Sequence, residues 1–229
     1  NQPGLVDSLY VGLSSAKALA WALAKPLVTV DHIEAHIYAA HLDDPELDYP
    51  HVSVVVSGGH TDIFLSTGPT EHKLITRTLD DAAGECFDKV AALLGIGYPG
   101  GPAVQMTSLG GDRDAIKFPR GEAGPDGLQL SFSGLKTSFL YLVRDEVKKN
   151  PSFVEERKKD LSASIQHTII EVLMEKLVKA SETTGIRDIG IAGGVSANSG
   201  LRKAMEERAR EYNWNIFIPP FIYTTDNAG

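Results

Sequence analysis

The sequence has little of several features that would define other classes of protein. Its single cysteine, Cys86, excludes an internal disulfide and is typical of a reducing compartment. No apolar run is long enough to span a bilayer, and no signal-peptide pattern opens the sequence. We therefore expect a cytoplasmic protein that does not enter the membrane.

The sequence also lacks an excess of positive charge, because 30 Asp and Glu outnumber 22 Lys and Arg and the formal net charge is −8 at pH 7. A free-standing nucleic-acid binder usually carries a basic surface, so no contact with DNA is expected. Contact with any nucleic acid would need a local patch or a partner. The densest basic stretch, residues 147–160, has acids interleaved with its bases, as in a solvated loop and helix start.

The composition is that of a folded chain with a substantial core. Hydrophobic residues make up 42% and charged residues 23% of 229 residues, which fits one large domain or two small lobes. Hydrophobic periodicity predicts strands that alternate with helices, hence an α/β fold. The predicted helices are 8–26, 29–41, 80–95, a helix within 97–111, one within 132–149, 160–184 and one after 194; the predicted strands are 27–30, two around 57–60, 73–79, 188–192 and 214–220.

Two turns of the form strand-Gly-Gly are the first candidates for chemistry. In the first, Gly58 and Gly59 follow the run Val55-Val56-Ser57. Glycine allows positive φ and leaves backbone amides uncovered, so this turn can hold a phosphate or a carboxylate. In the second, Gly193 and Gly194 end a strand, and Ser196 or Asn198 can cap the next helix. Glycine is common in such turns anyway, but the pair together with a third glycine turn at 99–102 resembles an actin-like nucleotide site.

Acidic residues of the 80–95 helix offer a second candidate. Asp80 and Asp81 are expected at its first turn, where the helix dipole favours acids. Asp88 lies seven residues after Asp81, on the same predicted face, and could accept hydrogen bonds from a ribose. An exposed helix acid explains the same spacing.

A histidine pair in the segment TVDHIEAHIYAAH is a third candidate. His32 and His36 lie four residues apart, so they share a helix face and could bind one metal ion. Glu34 is two residues, or about 200°, further round the helix than His32, which argues against a zinc-protease site. A third ligand is needed, and two histidines without a metal fit the spacing equally well. His41 lies off this face.

Several long motifs together resemble one family. VDHIEAH, VVVSGGHTDIF, LDDAAGECFDKVAALLGIGYPGGP, LSFSGLKTS, AGGVSANSGLR and TTDNAG occur in the order found in bacterial TsaD, the tRNA adenosine threonylcarbamoyltransferases. The opening PGLVDSLYVGLSSAKALAWALAKPL is similar to the same family. The resemblance covers essentially the whole chain.

The resemblance implies a two-lobed actin-like ATPase fold (ASKHA, ribonuclease H-like). It also implies one iron or zinc ion, held by the two histidines and by the aspartate of the late Thr-Asp-Asn motif, here His32, His36 and Asp226. The positions matching the family's substrate and nucleotide site, where the AMP moiety of threonylcarbamoyl-AMP or ATP/ADP would bind, are Val55, Val56, Ser57, Gly58, Gly59, Asp88, Gly101 and Asn198.

The implied reaction transfers a threonylcarbamoyl group from threonylcarbamoyl-AMP to N6 of adenosine 37, in tRNAs that read codons starting with A. No general base is identified, although His60 lies near the first glycine turn. The implied partners are a TsaB-like paralogue, a TsaE-like ATPase and tRNA. A non-catalytic scaffold subunit and a small-molecule kinase of the same fold are the alternatives, and the histidine pair speaks against both.

The sequence departs from the family pattern at both ends. It lacks the usual N-terminal phosphate loop and stops before the family's closing helix, so we expect an incomplete fold with exposed apolar surface on the remaining helices. The expected division is residues 1–47 as the remainder of the first lobe, 48–222 as the second lobe and 223–229 as a return segment.

Overall fold

A computed structural model describes residues 3–4, 6–44, 47–121 and 124–224, without the side chain of residue 43. The helices are α1 (Val6–Ala22), α2 (His32–Asp43), α3 (Ala83–Leu94), α4 (Gly100–Thr107), α5 (Ser133–Lys149), α6 (Phe153–Thr184) and α7 (Ser199–Tyr212). The strands are β1 (His51–Val56), β2 (Thr61–Gly68), β3 (Glu71–Arg77), β4 (Asp188–Ala192) and β5 (Asn215–Phe217), and short 3₁₀ helices cover Gly194–Ala197 and Phe221–Tyr223.

The strands form one sheet in the order β3-β2-β1-β4-β5. β1, β2 and β3 pair antiparallel through two hairpins. β4 pairs in parallel with β1, and β5 pairs in parallel with β4. The parallel pairs need crossover connections, which the helices provide. The predicted α/β class is confirmed, and so is the hairpin around residues 57–60.

Both faces of the sheet are covered. Every residue of β1 is buried, as expected for a central strand with helices on each side. Val54 and Val56 face the main core, which α3, α5, α6 and α7 complete. Val55 faces the other way, where Ile33 and Ile37 of α2 pack. α2 therefore lies directly on the sheet, although it belongs to the predicted remainder of the first lobe. The division at residue 47 stays a prediction.

α1 is apolar yet buries none of its residues. Trp21 is 88% exposed, and Val11 and Leu19 are also exposed, so the expected apolar surface is present. Residues 27–30 do not form the strand predicted for them; they are exposed and have no regular secondary structure. Their β-branched residues favour a strand, but local propensity alone does not form one here. No helix among the described residues is both long and apolar enough to cross a membrane.

The acids predicted at the start of the 80–95 helix are placed differently. α3 begins only at Ala83, so Asp80 and Asp81 precede it. The carboxylate of Asp80 instead accepts hydrogen bonds at the start of α5, from the backbone N–H groups of Phe132 (2.8 Å) and Ser133 (3.2 Å). Asp81 forms ion pairs with Lys89 and Lys136. The expectation of a dipole contact within α3 was wrong, because a partner 52 residues away along the chain competes for Asp80.

Candidate functional site

The two glycine turns predicted from the sequence lie side by side. β1 and β4 are adjacent and parallel, with Val55 paired to Ala192, so their carboxyl ends meet at one edge of the sheet. The first turn, Ser57–His60, follows β1, and Gly193 and Gly194 follow β4. In open α/β sheets, ligands bind at this edge, where strand order reverses between neighbours.

Two glycines bring the backbones here closer than any side chain would permit. A Cβ on Gly193 would lie 2.4 Å from the Val56 carbonyl oxygen, and Gly193 also has a φ of +86°. A Cβ on Gly84 would lie 2.5 Å from the Ser57 carbonyl oxygen, to which the Gly84 N–H donates. The start of α3 is thereby fixed against the first turn.

At three other glycines, packing within the protein does not require glycine. A Cβ on Gly58, Gly59 or Gly101 would meet no atom within 4 Å, and none of the three has a φ in the left-handed region. The positive φ that glycine allows is therefore not used at Gly58 or Gly59. The backbone there faces open space, which suits close approach by a ligand.

The Ser57 side chain closes the first turn. Its hydroxyl accepts from the N–H groups of Gly59 (3.3 Å) and His60 (3.1 Å), and the Ser57 N–H donates to the His60 carbonyl. An anion at these amides would have to compete with that hydroxyl. Val55 and Val56 place their side chains in the two cores, so only their backbone can face a ligand.

Asp88 holds the third glycine turn. Its carboxylate accepts from the Gly100 N–H at 2.6 Å, and a Cβ on Gly100 would lie 2.4 Å from the Asp88 Cα. α3 and the start of α4 are therefore in backbone contact. One oxygen of Asp88 is committed to this bond, and Gly101 follows on the open side of the turn.

Asn198 caps α7, as one of the two alternatives from the sequence. Its side-chain oxygen accepts from the Leu201 N–H at 3.0 Å, and its amide nitrogen donates to Gln166 of α6 at 2.9 Å. Ser196, the other candidate, is buried within the 3₁₀ turn after β4. Gln166 carries no local sequence signal and was not predicted.

The histidine pair lies on α2, above the same sheet edge. Asp31 caps the helix by accepting from the N–H groups of Ile33 and Glu34. The rings of His32 and His36 are 4.5 Å apart between centroids, and His36 is 2% exposed. Because Ile33 packs with Val55 and Ala192, the pair sits near the ends of β1 and β4.

No group of three metal-ligating side chains occurs among the residues that the structure describes. The predicted third ligand, Asp226, lies outside them. The described chain reaches the site at Thr224, which is buried, and a Cβ on Gly194 would lie 3.8 Å from the Thr224 carbonyl oxygen. The two imidazoles fit a metal as two of three ligands.

His60 is half-buried beside the first turn. Burial lowers its pKa. The negative charge of Asp62 partly offsets this effect, whereas Arg77 and His32 lower the pKa further. The imidazole is therefore neutral near pH 7. Asp62 is itself buried and accepts two hydrogen bonds from the exposed guanidinium of Arg77.

The basic stretch at 147–160 carries little free positive charge. Lys148 pairs with Asp145, and Lys149 pairs with Glu146. Arg157 and Lys158 pair with acids on α6. These pairs fit the solvated surface that the alternating charges suggested.

Two cavities are found within the described residues. One, of about 210 Å³, is lined by α6 and α7 and includes Gln166, His167 and Lys203. The other, of about 280 Å³, includes Arg187 and Trp214. Neither is lined by the histidine pair or by the first turn.

A mixed sheet of order 3-2-1-4-5 with glycine turns at its switch point fits an actin-like ATPase fold. A solved structure agrees. The activator of the 2-hydroxyisocaproyl-CoA dehydratase from Clostridium difficile, with bound ADPNP, superposes with a TM-score of 0.50 at 16% identity, over 87% of this chain and 64% of that one.

The family follows from sequence. A family model described as TsaD, tRNA N6-adenosine threonylcarbamoyltransferase, matches residues 1–229. Proteins of that name from Porphyromonas gingivalis and Christiangramia forsetii are 48% and 47% identical over 99% of this chain and 67% of their own lengths. The chain belongs to the tRNA N6-adenosine threonylcarbamoyltransferase family. It spans about two thirds of the length of these relatives.

The predicted transferase function is confirmed by these matches, with tRNA as the substrate that the family name states. The scaffold and small-molecule kinase alternatives find no support, since the relatives carry the name of the transferase.

Proposed function

We propose that this chain binds threonylcarbamoyl-AMP at the edge formed by β1 and β4 and supports transfer of its acyl group to N6 of adenosine 37, in tRNAs that read codons starting with A. The observation that carries the proposal is the open backbone at Gly58 and Gly59 beside the histidine pair of α2. An anion and a metal would then lie at one strand edge.

The AMP part is assigned to the glycine turns. The backbone of Val55–Gly59 would face the phosphate, and Asp88, Gly101 and Asn198 would surround the ribose and base. Asp88 has one oxygen bound to Gly100 and a second available to a ribose hydroxyl. AMP bound in this way would be a fixed leaving group, so the tRNA amine meets an oriented carbonyl.

The metal is assigned to His32, His36 and Asp226, and is iron or zinc. Such an ion supplies Lewis-acid stabilisation of negative charge on substrate oxygens. The chain's contribution is the rigid pair of imidazoles, 4.5 Å apart on one face of a helix that is capped by Asp31 and packed on the sheet. We assign no general base; His60, neutral near pH 7, can accept or donate a hydrogen bond beside the first turn.

The partners would be a TsaB-like paralogue, a TsaE-like ATPase and tRNA, in the cytoplasm. Exposed apolar residues of α1 support a protein contact in this assembly. The net charge of −8 suits tRNA binding on a surface shared with a partner.

The metal assignment is tested by elemental analysis of purified protein. We expect about one transition metal per chain, lost in the His32→Ala/His36→Ala double variant and kept in His167→Ala, a control on α6. Full metal content in the double variant would refute the assignment.

The transfer is tested with threonylcarbamoyl-AMP and unmodified tRNA, using the intact protein and its partners. Mass spectrometry of digested tRNA should show threonylcarbamoyl adenosine. Its absence with active partners, or equal modification by the double variant, would overturn the proposal.

A further inference from the structure

A hydrogen-bonded chain of side chains connects α7 with α6 and α4 behind the glycine turns. The Asn198 amide nitrogen donates to Gln166 Oε1 at 2.9 Å, and Gln166 Nε2 donates to Ser108 Oγ at 3.2 Å. The Ser108 hydroxyl donates to the Gln105 carbonyl oxygen at 2.7 Å. Gln105 Oε1 in turn accepts from the Ser199 N–H at 2.8 Å.

These hydrogen bonds fix the orientation of the side-chain amides of Asn198 and Gln166. Asn198 must present its oxygen to the Leu201 N–H, because only an oxygen can accept there. Its nitrogen therefore faces Gln166, whose oxygen must accept. Gln166 then has only its nitrogen for Ser108, whose proton goes to a carbonyl. Every donor and acceptor role follows from the cap of α7.

We infer that Gln166 is a positioning residue that orients the Asn198 amide toward bound nucleotide. One N–H of Asn198 is committed to Gln166, which leaves the second in a fixed direction. Without Gln166, Asn198 would still cap α7 through its oxygen, but its nitrogen would be free to turn toward water. The inference rests on the proposed nucleotide site, since it concerns the precision of a contact assigned there.

The same series of hydrogen bonds connects two of the residues assigned to the nucleotide site, Asn198 and Gly101. Gln105 and Ser108 lie at the end of α4, whose first residues are the Gly100–Gly101 turn held by Asp88. Gln166 therefore connects Asn198 on α7 with the helix that begins at Gly101. Hydrogen bonds that connect the two helices beside a site reduce the rearrangement that the protein needs when the ligand binds.

The test measures AMP affinity by calorimetry in the intact protein. Gln166→Leu removes both hydrogen bonds and should raise the AMP dissociation constant about three- to tenfold, the effect of one lost oriented hydrogen bond. The KM for threonylcarbamoyl-AMP should rise in step, while the KM for tRNA stays unchanged. Gln166→Glu keeps an acceptor for Asn198 and should restore affinity to within about threefold.

Ile170→Val is the matched structural control. Ile170 lies one turn further along α6 and packs near Gly200 of α7, so the variant loosens the same helix pair without touching Asn198. It should lower the melting temperature and leave AMP affinity unchanged. Ser108→Ala is a second, milder variant, which removes the partner of Gln166 Nε2 and should weaken AMP binding in the same direction.

A double-mutant cycle tests the role of Gln166 separately from the assignment of Asn198 to the nucleotide site. Gln166→Leu should add nothing to Asn198→Ala, because it acts through Asn198. Wild-type AMP affinity in Gln166→Leu with weakened affinity in Asn198→Ala would refute the inference and leave the site intact. Wild-type affinity in Asn198→Ala would refute the nucleotide assignment at Asn198 and the inference together.

Discussion

Gly193 and Val56 meet where β4 and β1 end, and a Cβ on Gly193 would lie 2.4 Å from the Val56 carbonyl oxygen. This contact sets the spacing between the two glycine turns. The neighbouring Gly194 has no comparable constraint, since its nearest atom would be 3.8 Å from a Cβ. The two adjacent glycines therefore have different roles.

Gly193→Ala should destabilise the fold by about 2–4 kcal/mol, from left-handed backbone strain and the clash with Val56. It should also abolish nucleotide binding, because the turns can no longer approach. Gly194→Ala is the control and should change the free energy of unfolding by less than about 1 kcal/mol. Urea unfolding of both variants checks this, and equal losses would contradict the assigned contact.

Gly58→Ala should affect binding rather than stability. The new methyl group meets no atom of the protein within 4 Å, so the free energy of unfolding should change by less than about 1 kcal/mol. If a phosphate approaches this backbone, AMP affinity should fall about tenfold, equivalent to about 1.4 kcal/mol. Gly12→Ala, at an equally open position on α1, should leave AMP affinity unchanged. Unchanged affinity in Gly58→Ala would remove Gly58 from the site.

Asp80→Ala should cost about 2 kcal/mol, through loss of the cap on α5. Burial alone would raise the Asp80 pKa, but hydrogen bonds from Ser131, Ser133 and Phe132 outweigh it and lower the pKa. The Asp80 carboxylate therefore stabilises the fold fully above pH 3.8, the ordinary pKa of the group. This stabilisation is lost as the pH falls through the lowered pKa of the folded protein.

Asp80→Asn, which keeps an acceptor, should lose less stability than Asp80→Ala. Asp114→Ala, an exposed control, should change the free energy of unfolding by less than about 0.5 kcal/mol. Denaturant titrations at pH 7 measure all three. The cap would be disproved by a loss in Asp80→Ala no larger than in Asp114→Ala.

His51 should make stability fall in mild acid. It is fully buried at the start of β1, and burial lowers its pKa from 6.5 to about 4. The unfolded chain therefore takes up a proton between these values that the folded protein does not. The contribution of neutral His51 to the free energy of unfolding is complete above pH 6.5. It declines toward pH 4, by up to about 3 kcal/mol.

Unfolding free energies between pH 7 and pH 4 should fall less steeply in His51→Gln than in the wild type. His167→Gln, on α6, is the control and should keep the wild-type slope. Parallel profiles for wild type and His51→Gln would show that His51 does not carry this dependence.

Local pattern predicted most of the elements but missed particular long-range partners. The hairpin around Ser57–His60 and the cap by Asn198 follow from residues close in sequence. The strand predicted at 27–30 and the helix contact predicted for Asp80 were wrong. For residues 27–30 local propensity did not suffice to form a strand, and for Asp80 hydrogen-bond donors at the start of α5, far along the chain, determined the contact.

The sequence by itself determined the α/β class, the two glycine turns, the spacing of His32 and His36, and the family. These follow from periodicity, glycine chemistry and ordered motifs, which are properties of neighbouring residues. Only the tertiary structure decided that Gly193 must approach Val56, that Gly58 faces open space and that Gln166 holds Asn198. Such relations join residues tens of positions apart, and their energies depend on distances that packing of the sheet and helices sets.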